Sequence, residues 1–257
     1  MRRAHPRLLA LVAGLAFCLF LVTGLPARLA IGWLAPAGLT VIDPQGSLWR
    51  GSVAAAMAGP LRLGPTSWSM SARSLLGGRL RAAIETQMGT AAASGTLELR
   101  IGGGLACEQC RYAGPTGALA GLLPMLQGLD ARLDADITRL ELRESWPRRL
   151  VATLKVDDVP LRLPGLPPDP GLPRGSFVFS LDADPVPADG VLEARVHDAG
   201  GPLAIDGVLV LRPPGDYQLD ARLRPQAGAP PRLAAVLQTL GPREADGSFS
   251  LGLAGSF

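Results

Sequence analysis

Tyr217-Gln218-Leu219-Asp220-Ala221-Arg222-Leu223-Arg224 alternates apolar and polar side chains without a break. Successive side chains of an extended chain point to opposite faces, so this stretch has one face for a core and one for water. It predicts an antiparallel strand. The same period recurs in Leu97–Ile101, Leu150–Val156, Phe177–Leu181, Val191–Val196, Leu203–Leu211 and Phe249–Leu253. Between Ile137 and Leu140 the apolar parity switches, which predicts a β-bulge near Thr138 that re-aims the second half of a strand.

What separates these runs fits the same reading. Gly (32) and Pro (24) stand at roughly twice their usual frequency, so the chain of 257 residues is rich in turns and poor in long helices. Residues 163–175 and 212–216, both dense in proline, read as loops because proline removes a ladder donor. Helix is predicted at Pro230–Leu240, whose apolar residues recur at three and four, and more weakly at Gly117–Leu129. The expectation is a mainly β fold of ten or more strands with one or two short helices. Phe257 and the alternation raise an outer-membrane barrel, but Tyr and Trp together number six, too few for aromatic girdles.

The N-terminus is different. Leu8–Leu25 is an 18-residue run without a charge, long enough for roughly 27 Å of helix against a hydrocarbon core of about 30 Å. Arg2, Arg3 and Arg7 precede it and predict a cytoplasmic N-terminus. A cleaved signal peptide is the competing reading. Its apolar region is usually shorter, and Arg28 and Leu29 interrupt the small-residue site it needs. An uncleaved signal anchor is favoured. The expected division is a cytoplasmic basic tail (1–7), a transmembrane anchor (8–27), a connector (28–40) and a periplasmic β domain (41–257).

Charge excludes one class of partner. Setting aside the three N-terminal arginines leaves 22 basic residues against 22 acidic ones. With aromatics at 5%, the chain lacks the basic face with interleaved aromatics that a nucleic-acid binder shows. No nucleic-acid partner is expected.

Candidate chemistry is sparse. Cys107 and Cys110 enclose two residues. In an oxidising compartment the first reading is a local disulfide; free thiols or a redox or metal role are the alternatives. A thioredoxin-like centre needs a strand before the pair and a helix at it, whereas glycines 102–104 precede this pair. A zinc site needs further ligands, and the only others of its kind are Cys18, His5 and His197. His197-Asp198 lacks a nucleophile on its own turn, so a solvated loop histidine is expected. Asp134/Asp136 and Asp182/Asp184 sit two apart, which polar alternation on a strand produces without any chemistry. No catalytic, cofactor or metal residue is assigned.

Trp49 lies in Gly46-Ser47-Leu48-Trp49-Arg50-Gly51, between two glycines. Gly46 and Gly51 permit a sharp turn and close approach, so Trp49 reads as a plug fixing the first strand of the domain, with a ligand contact as the alternative. Together with residues 25–36, 74–82, 201–225 and above all 237–255, this block resembles type II secretion system protein N, of the general secretion pathway. The resemblance covers both ends of the chain; residues 90–175 match only in character. It marks Gly46, Leu48, Trp49, Gly51, Gly241, Asp246 and Gly247 as structural motif positions, and it does not extend to the cysteines. It implies an accessory, non-catalytic inner-membrane component whose partners are other inner-membrane or periplasmic secretion proteins, with no cofactor. By fold analogy with AsmA-like and LptC-like proteins it further implies a curved or open antiparallel β-sheet, groove- or sandwich-like, with lipid or hydrophobic-segment contact.

Overall fold

The computed structural model describes residues 24–34, 39–75, 77–100, 103–121, 126–143, 146–161, 173–238 and 242–256. The predicted anchor lies outside the described residues up to residue 23, as do Gly241, Phe257 and most of the 163–175 linker. Among the described residues no helix is long and apolar enough to cross a membrane.

Two antiparallel sheets account for the strands described. The small one is built from β1 (Leu39–Ile42), β4 (Ala55–Ala58) and β5 (Leu61–Leu63), in the order β1-β4-β5. The large one has 13 strands. It starts at one edge with β2 (Gln45–Gly46), β3 (Arg50–Val53) and β6 (Thr66–Ser71). It continues through β7 (Arg79–Met88), β8 (Ala91–Arg100), β9 (Leu105–Pro115), β10 (Arg132–Arg143) and β11 (Trp146–Pro160). It ends with β12 (Arg174–Ala183), β13 (Leu192–Gly200), β14 (Leu203–Arg212), β15 (Asp216–Pro225) and β16 (Phe249–Ser256). From β6 onward each strand pairs with the next in the chain, and the sheet is open, with β2 and β16 as its edges.

The helices are short: α1 (Ala27–Leu34), α2 (Ala72–Leu75) and α3 (Pro231–Leu237). The helix predicted at 230–240 is α3. Among the described residues of 117–129, which exclude 122–125, the structure has a 3-10 turn, Thr116–Leu119, rather than an α-helix. There the buried Thr116 hydroxyl donates to the carbonyls of Leu129 and Ala131, tying the segment back on itself.

Register puts most of the large apolar side chains of the large sheet on one face, called inner here; Val178, Val208 and Val210 fall on the other. One row across it reads Trp68, Ile84, Gly95, Cys110, Ile137, Ala152, Leu181, Ala194, Leu209, Leu219, Leu253. No charge interrupts it. The outer face carries the polar half of each alternation, such as Asp220, Arg222 and Arg224 on β15. Between β10 and β11 the register shifts at Thr138, and this bulge keeps both Ile137 and Leu140 on the inner face.

α3 and the small sheet cover one end of the inner face. There Leu233 and Leu237 of α3, 1% and 0% exposed, pack on Val196, Ile205, Leu223 and Phe249. Burying two leucines contributes roughly 1.5–3 kcal/mol each. Leu61 and Leu63 of the small sheet cover Met88, Ala91, Tyr112 and Leu133 at the same end. At the opposite end, on the β7–β10 side, the cross-strand partners Leu99 and Leu105 are 52% and 40% exposed. The apolar face is a groove plugged at one end.

Candidate functional site

Three features carry the residues singled out by sequence. The first is the turn at 46–51, where Gly46 pairs with Gly51 across β2 and β3 and takes a φ of 86°. A Cβ on Gly51 would overlap the Trp68 ring, lying 2.9 Å from its Cη2, and would sit 2.5 Å from the Gln45 carbonyl oxygen. The Trp68 Nε1–H donates to the Leu48 carbonyl at 3.0 Å. The indole that demands small neighbours is therefore Trp68. Trp49 is half-buried, and its carbonyl accepts the Met70 N–H at 2.6 Å. The sequence signal for Trp68 was present in Ser67-Trp68-Ser69-Met70-Ser71, a strand pattern with serine as its wet partner.

This turn also receives the N-terminal chain. The Leu48 N–H donates to the Leu25 carbonyl at 2.9 Å, Pro26 bridges Ser47, and Ala27 is 1% exposed. Residues 25–27 are thus fastened to the sheet directly.

The second feature is the cysteine pair. Cys107 and Cys110 are disulfide-bonded, with Cα atoms 6.1 Å apart. Three residues of regular strand would span about 10 Å and put the two side chains on opposite faces. Gln109, at φ 52°, contracts the strand and switches its parity. Cys107 then pairs with Leu140 and Cys110 with Ile137, both on the inner face. The β9 irregularity lies directly beside the Thr138 bulge of β10. Gly95 leaves room for Cys110, whose Sγ a Cβ there would overlap.

The third is the turn before β16. The Asp246 carboxylate accepts the Ser248 hydroxyl at 2.6 Å, the Ser248 N–H at 3.0 Å and the Arg224 guanidinium at 2.9 Å. These bonds to Ser248, then Arg224, lower its pKa to about 2. Gly247 has φ 84° and faces Arg243. The turn sets the entry of the edge strand.

The acidic pairs and the histidine do not converge. His197 is exposed on the outer face of β13 opposite Asp206, on a strand rather than in the expected loop. Asp136 pairs with Arg111, while Asp184 pairs with Arg139 and Arg149. These belong to a chain of ion pairs that sequence reading missed: Arg79–Glu98–Arg100–Glu141–Arg149–Asp184–Arg139. Apart from Glu98–Arg100, its links join residues eight or more apart on different strands, so no local pattern announces it. Glu98, between Arg79 and Arg100, is buried, and its hydrogen bond, followed by the charge of Glu141, raises the pKa of Arg100. Among the described residues no cluster of metal-ligating side chains forms.

The family model described as type II secretion system (T2SS), protein N matches residues 37–252. The chain belongs to this protein N family. It is also 24% identical to type II secretion system protein N of Pectobacterium carotovorum subsp. carotovorum, over 94% of this chain and 93% of that protein. No solved structure matches. Membership of the protein N family makes the chain a component of type II protein secretion and implies contact with other parts of that machinery. In this family member the motif positions 46–51 and 246–247 shape turns at or near the two edges of one sheet.

Proposed function

We propose that this member of the protein N family is a non-catalytic scaffold, anchored in the inner membrane by residues 8–27. Its β domain, residues 41–257, stands in the periplasm and makes protein contacts. The observation that carries this reading is the open sheet. The eight residues of β16 pair with β15 on one side only and leave a row of backbone donors and acceptors for an added strand. The fastening of residues 25–27 to the β2–β3 turn supports an anchor that holds the domain close. A photo-crosslinking residue at Ser250 or Ala254, in cells producing the apparatus, should capture another secretion component. Recovery of no secretion component, together with normal secretion in a strain lacking the protein, would overturn the scaffold.

A second reading is favoured by one observation, the uncharged inner face left uncovered beside Leu99 and Leu105. On this reading the groove holds lipid or a hydrophobic segment, as in AsmA-like and LptC-like proteins. Native mass spectrometry of the full chain released from detergent should show retained lipid. A chain free of lipid would dismiss it.

A further inference from the structure

The uncovered end of the groove is not uniformly apolar. At the rim by the β8–β9 turn, a depression of about 470 Å³ brings Leu105 and Leu142 together with Arg100, Arg143 and Arg148. Leu105 pairs with Leu99 and with Leu142, so the leucines form a continuous strip over three strands. Among the described residues the one carboxylate in the lining is Glu141, which is held by Arg100 and Arg149. Among the described residues no carboxylate pairs with Arg143 or Arg148. The depression therefore sets guanidinium groups with no described carboxylate partner at the rim of the leucine strip, the complement of an anionic amphiphile.

Position identifies which amphiphile. The β2–β3 turn, which fastens Leu25 and Pro26, points along the strands toward this same end. Its neighbours on β6, Trp68 to Met70, lead on to Ser71 and α2, and Ser71 pairs with Arg81 near the start of β7. The uncharged run Leu8–Leu25 thus joins the domain on the side where the leucines and arginines lie. If that run is the membrane anchor, as the reading above holds, the rim faces the bilayer.

We propose that this rim docks on the bilayer surface by binding an anionic phospholipid. Arg143 and Arg148 take the phosphate, and Leu99, Leu105 and Leu142 receive the acyl chains at the mouth of the groove. Arginine forks match phosphate oxygens bidentately. Basic groups beside an anionic leaflet each shift the local equilibrium roughly fivefold.

The test uses the full chain in nanodiscs of phosphatidylcholine alone or mixed with phosphatidylglycerol. p-Benzoylphenylalanine is placed at Leu105 or, as an outer-face control, at the exposed Val208. Intact mass after irradiation counts lipid adducts. The expected result is adduct at position 105, severalfold more with phosphatidylglycerol, and little at 208. The double variant Arg143→Gln/Arg148→Gln, which disturbs no ion pair described, should remove the phosphatidylglycerol preference while the melting temperature stays put. Equal adducts at both positions, or no preference for the anionic lipid, would overturn the docking. Co-elution with the discs but no adduct at 105 sinks the docking and leaves the anchor standing. A chain that elutes apart from the discs removes both. Capture at 105 of a secretion protein in cells, with no lipid adduct, would assign the rim to a protein partner.

Discussion

The indole of Trp68 lies against the backbone of Gly51, so close that no side chain fits between them. Gly51→Ala must push Trp68 aside or bend β3, and overpacking of this kind costs about 1–3 kcal/mol. Thermal unfolding of the variant should show a clear loss. Trp68→Ala should lower the melting temperature more than Trp49→Ala, because Trp68 both fills the space over Gly51 and donates to the Leu48 carbonyl. The reverse order would make Trp49 the anchor of the turn.

Reducing the Cys107–Cys110 bond should have a small global effect. It closes so short a loop that chain entropy supplies at most roughly 2 kcal/mol. Its work is local, holding a contracted segment of β9 against the tendency of a strand to extend. Cys107→Ser/Cys110→Ser should therefore speed amide hydrogen exchange around Gln109 and Thr138 while β14 and β15 keep their protection. Uniformly faster exchange across the sheet would contradict this.

The turn at Asp246 should titrate. Its pKa of about 2 lies below the ordinary 3.8, so the folded state favours the ionised form. That contribution is present in full above the ordinary value and is lost as pH falls toward 2. Unfolding of wild type and Asp246→Asn should differ at pH 7 and converge as pH falls to about 2. The full chain in detergent, followed by denaturant unfolding at several pH values, reads this directly. A gap that persists at the acid end would mean the carboxylate charge is not what holds the turn.

Leu237→Ala should open the plugged end of the groove. The side chain is fully buried on Phe249 and Leu223, and leucine-to-alanine changes at such sites cost about 2–5 kcal/mol. The same change at Leu99, which is half-exposed on the open side, should cost far less. Denaturant midpoints of the two variants settle the order.

Where the hydropathy contrast is strong, the fold was readable in advance. Tyr217–Arg224 lies within β15, and the parity switch near Thr138 coincides with the register shift between β10 and β11. Contrast fails in β7 and β8, where Ala82, Ala83 and the run Ala91–Ala93 give neither face a signature. Alanine is small enough for either side, and only register decides. The small sheet was missed for the same reason, since β4 is Ala-Ala-Met-Ala. With no nucleophile turn beside it, His197 reads as a solvated loop residue, yet β13 carries on through both His197 and Asp198. The rim depression was beyond sequence altogether: Arg100, Leu105, Leu142 and Arg148 meet only because four strands end level with one another.

Nearly every pairing in the large sheet joins strands that are neighbours in the chain, and only the step from β3 to β6 skips any. Such a sheet has low contact order for an all-β protein, and low contact order speeds folding. Each hairpin can close on the one before it as soon as its own strands are free to pair, without waiting for the C-terminus. Assembly then proceeds from the β2–β3 turn outward, and β16 zips on last. A chain halted before residue 249 still presents an edge, that of β15, so synthesis from the N-terminus leaves the growing sheet at every stage with only one new margin to protect.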